Sequence, residues 1–71
     1  MKFNFRTHTG PCTVNDVTAR LQQAGIDASA GTEHVYGTID AIDNLVAIDK
    51  INSAAKYNAI SIAGIWLHGK W

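Results

Sequence analysis

The apolar residues of this chain recur at two intervals, and the order in which those intervals alternate constrains the fold more than any other property. "KFNFRTH" (2–8) alternates residue by residue. Phe3, Phe5 and Thr7 share one side, and Lys2, Asn4, Arg6 and His8 the other, as in a half-buried strand. Gly10-Pro11 breaks that strand. In "TVNDVTARLQQAG" (13–25), Val14, Val17, Leu21 and Ala24 recur at helical spacing and form one stripe. Thr13 stands at the N-cap position with Asp16 three residues later, and Gly25 follows the stripe as a stop. "IDASAGTEH" (26–34) is small and polar, which reads as a short strand around Ala28 and a turn.

The second half repeats the pattern. In "EHVYGTID" (33–40), Val35 and Ile39 point one way with Gly37 between them, and His34, Tyr36, Thr38 and Asp40 point the other. The bare Gly37 leaves room for a helix to come close. Asp43 caps a second helix over "NLVAIDKINSAAKYN" (44–58). Its inward stripe is Ala47, Ile48, Ile51, Ala54 and Ala55, with Leu45 at its start, and Lys56 suits the dipole at its end. "AISIAGIWLHGKW" (59–71) reads as a strand through Ile60 and Ile62, with Gly64 permitting a bulge or turn.

Strand, helix, strand, strand, helix, strand is the order of a ferredoxin-like β-α-β-β-α-β domain. The expectation is therefore a single α+β domain over residues 1–71: a small antiparallel sheet with both helices on one face, burying Phe3, Phe5, Val35, Ile39, Ile60 and Ile62. The 46% apolar fraction supports a packed core and argues against disorder. A domain this small buries only about 60% of its unfolded surface, so a modest stability is expected.

Charge and cysteine content bound the functional class. Six basic and six acidic residues cancel. A polyanion binder normally carries a basic excess or stripe, so nucleic acid is disfavoured as a partner. A lone Cys forms no internal disulfide, no apolar run approaches a membrane span of ~18 residues, and the alternating N-terminus reads as a strand rather than a leader. A cytoplasmic protein is expected, and near-zero net charge leaves a homodimer open.

An antiparallel sheet with helices on one side leaves the other side bare. The strand phases put Asn4, Arg6, His8, His34, Tyr36 and Thr38 there. Trp66 and His68 join them if Gly64 keeps the phase. Aromatics, imidazoles and a guanidinium give large contact area with directed polar groups, the composition of an interface. Partner binding is accordingly assigned to Arg6, His8, His34, Tyr36, Thr38, Trp66 and His68.

The loop "RTHTGPCTVND" (6–16) holds the only Cys and Pro. Gly10 and Pro11 end the strand, Thr13 caps the helix, and Cys12 is a small residue beside the cap. The alternative is a metal or thiol site using Cys12 and His8, because a thiol at a helix N-terminus can be activated and imidazole is a common ligand. Structural zinc takes four protein ligands and catalytic zinc three. Cys12, His8, His34 and His68 are the available soft donors, without a close-spaced pair. Hydrolytic motifs and phosphate-cradling glycine loops are lacking, and so small a domain offers little room for an enclosed pocket of ~300 Å³. Neither an enzyme nor a cofactor is expected.

"HVYGTIDAIDNLVAIDKINSAA" (34–55) resembles the BON domain pattern: a strand with an apolar-x-Gly-x-apolar core at Val35, Gly37 and Ile39, an acidic turn, then a helix. "DVTARLQQAGI" is similar to the first BON helix, and "AISIAG" falls where the last BON strand would lie. The resemblance implies a module that binds lipid surfaces or partner proteins. The strand–loop–Cys–helix opening in "FRTHTGPCTVNDV" resembles the heavy-metal-associated domain, with Cys12 in the loop and Asn15 where that family has its second Cys. Together these readings lead to a non-enzymatic module acting by protein–protein contact, such as an inhibitor or adaptor of a larger complex. Single-stranded nucleic acid on the bare sheet face is the further alternative.

Overall fold

The computed structural model describes residues 1–67. β1 (Lys2–His8) leads to α1 (Val14–Gln23), β2 (Asp27–Ala30), β3 (His34–Asp40), α2 (Asn44–Ala55), a 3-10 turn over Ile62–Gly64 and β4 (Ile65–Leu67). The strands form one sheet in the order β2-β3-β1-β4, and every neighbouring pair is antiparallel. This is a small α+β domain with a four-stranded antiparallel sheet and two helices. No helix among the described residues is long and apolar enough to cross a membrane.

Both helices begin and end where their local chemistry dictates. The Thr13 hydroxyl accepts from the Asp16 N–H at 3.1 Å, and Asp43 Oδ1 accepts from the Val46 N–H at 2.9 Å. Each satisfies an amide that the first helical turn leaves without a partner. At the end of α1, Gly25 takes φ +82°. There the Gly25 N–H bonds to the Gln22 carbonyl and the Ile26 N–H to the Leu21 carbonyl, a Schellman closure. At the end of α2 the left-handed position falls on Lys56, at φ 68°.

Register decides which side chains share a face. Phe3 opposes Ile39, Phe5 opposes Gly37 and Thr7 opposes Val35. Phe3, Phe5, Val35 and Ile39 join Val17 and Leu21 of α1 and Ala47, Ile51 and Ala55 of α2 in one buried cluster. Thr7 is fully buried, and its hydroxyl has no hydrogen-bond partner among the described residues. Gly37 meets the sheet rather than a helix, contrary to expectation. A Cβ there would lie 2.6 Å from Phe5 Cζ and overlap the Asp27 carbonyl oxygen. The Phe5 ring thus fills the space a side chain would need. Two expected inward residues also face out: Leu45 is 66% exposed and Ala24 is exposed.

The last strand departs furthest from expectation. Ile60 is buried as foreseen, but Ile62 is 63% exposed on the 3-10 turn, and regular pairing begins only at Ile65. The His8 N–H donates to the Ala59 carbonyl at 3.0 Å, so the chain first lies beside β1, then swings out, and returns with Ile65 opposite Phe5. Two contacts set this path. Asn52 of α2 holds the 59–60 backbone: its Oδ1 accepts from the Ala59 and Ile60 N–H groups at 2.9 and 3.0 Å, and its Nδ2 donates to the Ile60 carbonyl at 3.2 Å. Gly64 then passes so close to β1 that a Cβ would lie 2.6 Å from the Arg6 carbonyl oxygen.

Candidate functional site

The side of the sheet away from the helices is built by the complementary register. Arg6 opposes Tyr36, His8 opposes His34, and Asn4 is flanked by Thr38 on β3 and Trp66 on β4. In antiparallel sheets directly opposed residues project to one side. Arg6, His8, His34, Tyr36, Thr38 and Trp66 therefore share a face, and the excursion at 62–64 restores the phase that brings Trp66 there. His68 lies outside the described residues.

The face is organised by ring contacts. The Arg6 guanidinium lies 5.6 Å from the centroid of the Trp66 ring, a cation–π arrangement. His34 and Tyr36 meet edge to face at 6.3 Å, and His8 meets Tyr57 the same way at 5.8 Å. Such contacts limit rotamer freedom, so less entropy is lost when a ligand arrives. Arg6 and His8 remain exposed, while His34, Tyr36, Thr38 and Trp66 are half-buried. Asn4 differs from its neighbours, being 3% exposed at the centre of the face. The Thr38 hydroxyl donates to Asp27 Oδ2 at 3.3 Å, and Asp40 opposes Lys2, so acidic groups gather at the end away from His8 and His34.

Cys12 occupies a different setting. It packs against the core, its N–H closes a turn onto the Thr9 carbonyl, and its Sγ lies 3.5 Å from Arg20 Nη1. The same Arg20 nitrogen donates to the Ala55 carbonyl at 2.9 Å, tying α1 to the end of α2. Gly10, at φ +54°, lies against the Tyr57 ring. Turn, cap and tie account for the loop. Burial raises the Tyr57 phenol above its ordinary value, the neighbouring Cys12 adds to the rise, and Arg20 opposes it. Among the described residues no group of three or more His, Cys, Asp or Glu side chains gathers to hold a metal ion.

The surface carries two concavities. A shallow pocket of about 180 Å³ is lined by Arg6, His8, His34, Ser61 and the residues around Ala59 and Gly64. A larger open cleft of about 760 Å³ lies between the helices and the ends of β1, β2 and β3. Ile26, Ile39 and Ala54 contribute apolar surface to it, while Lys2, Lys50, Asp27 and Asp49 supply both charges. A cleft of this size was not foreseen; it is open to solvent rather than enclosed, and its lining comes from five separate stretches. Ser61, Tyr57 and Asn52 were also missed. A polar Asn within the apolar stripe of α2 was the one available signal.

Comparison of the chain with protein-family models, curated proteins and solved structures finds no match. The likenesses to BON and heavy-metal-associated domains gain no support from these comparisons.

Proposed function

We propose that this chain is a non-enzymatic binding module that engages a protein partner through the bare sheet face. The arrangement that carries the reading is the Arg6–Tyr36 cross-strand pair flanked by the Trp66 ring. Arg, Tyr and Trp are the residue types that dominate binding energy at interfaces. We further read the β2-β3-β1-β4 order as a ferredoxin-like arrangement, in which each helix links two parallel strands separated by a third. A role as inhibitor or adaptor within a larger complex, or as a homodimer, follows from a docking face on so small a body. A cytoplasmic setting belongs to the same proposal and suits a lone half-buried thiol.

The test pairs analytical ultracentrifugation with affinity capture from the source cells, using wild type and the double variant Arg6→Ala/Tyr36→Ala. The wild type is expected to self-associate or to retain a defined protein. The variant, with an unchanged circular dichroism spectrum, is expected to lose that association by at least about tenfold, since central Arg and Tyr truncations cost about 2 kcal/mol or more. Retention of the same partner at the same affinity by the folded variant overturns the assignment. A salt-dependent gain for single-stranded RNA or DNA over protein would redirect it to nucleic acid.

A further inference from the structure

We propose that the pocket formed by Arg6, His8, His34 and Ser61 is a binding site for a tetrahedral oxyanion, the phosphoryl group being its ligand class. Each lining residue with a polar side chain (Arg6, His8, His34 and Ser61) carries a hydrogen-bond donor, and none carries a carboxylate. The imidazoles of His8 and His34 sit on directly opposed residues, whose Cα atoms lie about 4.5–5.5 Å apart in an antiparallel ladder. Arg6 stands two residues before His8 on the same face, about 6.6 Å along the strand. Ser61 lines the pocket from the segment that Asn52 holds in place. Donors thus converge from β1, β3 and the 59–64 segment.

Charge and size agree with this assignment. Among the described residues Arg6 makes no ion pair. Its guanidinium is steadied by the Trp66 ring rather than neutralised by an acid. A planar guanidinium donates to phosphate through two parallel N–H groups, and charge-assisted bonds are about twice as strong as neutral ones. A volume of about 180 Å³ equals roughly six waters at about 30 Å³ each. That admits one oxyanion with part of its hydration and is below the ~300 Å³ of a pocket for a drug-sized ligand. Donor-bearing residues on three separate segments suit a group with three terminal oxygens better than a planar carboxylate.

His8 meets the Tyr57 ring and His34 the Tyr36 ring, while Arg6 and Ser61 line the same pocket. Glu33 precedes His34 but is exposed and does not line the pocket. The pocket stands on its own donors, and its failure would leave the docking proposal intact, as the converse would leave the pocket.

The experiment is a titration of the whole chain followed by 1H–15N and imidazole 1H–13C spectra. The probes are inorganic phosphate, a short phosphoserine peptide and acetate. Saturable shifts at Arg6, His8 and His34 are expected with phosphate. Arg6→Gln, with an unchanged melting temperature, is expected to weaken binding roughly tenfold or more. Lys2→Ala, at the far end of the strand, serves as the control and is expected to change nothing. Tighter binding of the peptide than of phosphate would identify a phosphorylated side chain as the source; equal binding would identify the free ion. Shifts that do not saturate, that survive Arg6→Gln, or that acetate reproduces at the same concentration overturn the proposal.

Discussion

Removing the Asn52 side chain tests how the last strand is held. Asn52→Ala deletes three hydrogen bonds to the 59–60 backbone. At about 1 kcal/mol net each, the first expectation is a loss of about 3 kcal/mol. Two details adjust it. The Ala59 N–H keeps a second acceptor, the Tyr57 carbonyl at 2.8 Å, which lowers the cost. Ile60 is buried and would lose partners for both its N–H and its carbonyl, which raises it. The expected loss is therefore about 2–4 kcal/mol. Against a total of about 4–10 kcal/mol for a chain of this length, that is a large share. A domain of this size shifts by about 4–8 °C per kcal/mol, so the melting temperature should fall by about 10–25 °C. Asn52→Asp keeps the oxygen that accepts from two N–H groups and loses only the donor, so about 1 kcal/mol is expected. Thermal melts by circular dichroism measure both variants. Amide exchange gives the local readout: the Ile60 and His8 amides should exchange faster while those inside α1 stay protected. An Asn52→Ala loss below about 0.5 kcal/mol, or an Asp variant as damaged as the Ala variant, would refute the reasoning.

Three further outcomes follow from the same structure. Gly37→Ala places a methyl against the Phe5 ring and the Asp27 carbonyl, and denaturant melts are expected to show a loss of about 3 kcal/mol, near the top of the overpacking range. Thr7→Val replaces a buried hydroxyl that lacks a partner with a methyl of similar shape, and is expected to raise stability by about 1 kcal/mol in the same assay. Tyr57 favours its neutral phenol in the folded state, so its contribution is complete below pH 10.0 and is lost as pH rises through the raised folded value. Unfolding free energy measured across that alkaline range should decline in wild type and decline less in Tyr57→Phe, which also lacks the 2.7 Å bond from the phenol to the His8 carbonyl.

The local devices were legible because each depends on a few neighbouring residues. Thr13 with Asp16, Asp43 with Val46 and the Gly25 stop all act within one helical turn, and all three are realised. Strict alternation in 2–8 and 34–40 settled which side chains of β1 and β3 face the helices, since a period of two leaves no other choice once one residue is buried. The Arg6, His8, His34 and Tyr36 grouping was therefore readable before any coordinates. Trp66 was readable only conditionally, because its phase depends on how many residues the chain spends between Ala59 and Ile65.

Residue order by itself thus determined the two helices, their N-caps and the alternation of β1 and β3, because those follow from contacts a few positions apart. The tertiary structure alone decided the outward excursion at 62–64, the hold of Asn52 on the 59–60 backbone, the Phe5 ring over Gly37, and the meeting of Ser61 with His8 and His34. Each of these joins groups far apart along the chain, and its geometry is set by how whole elements pack rather than by any spacing in the sequence.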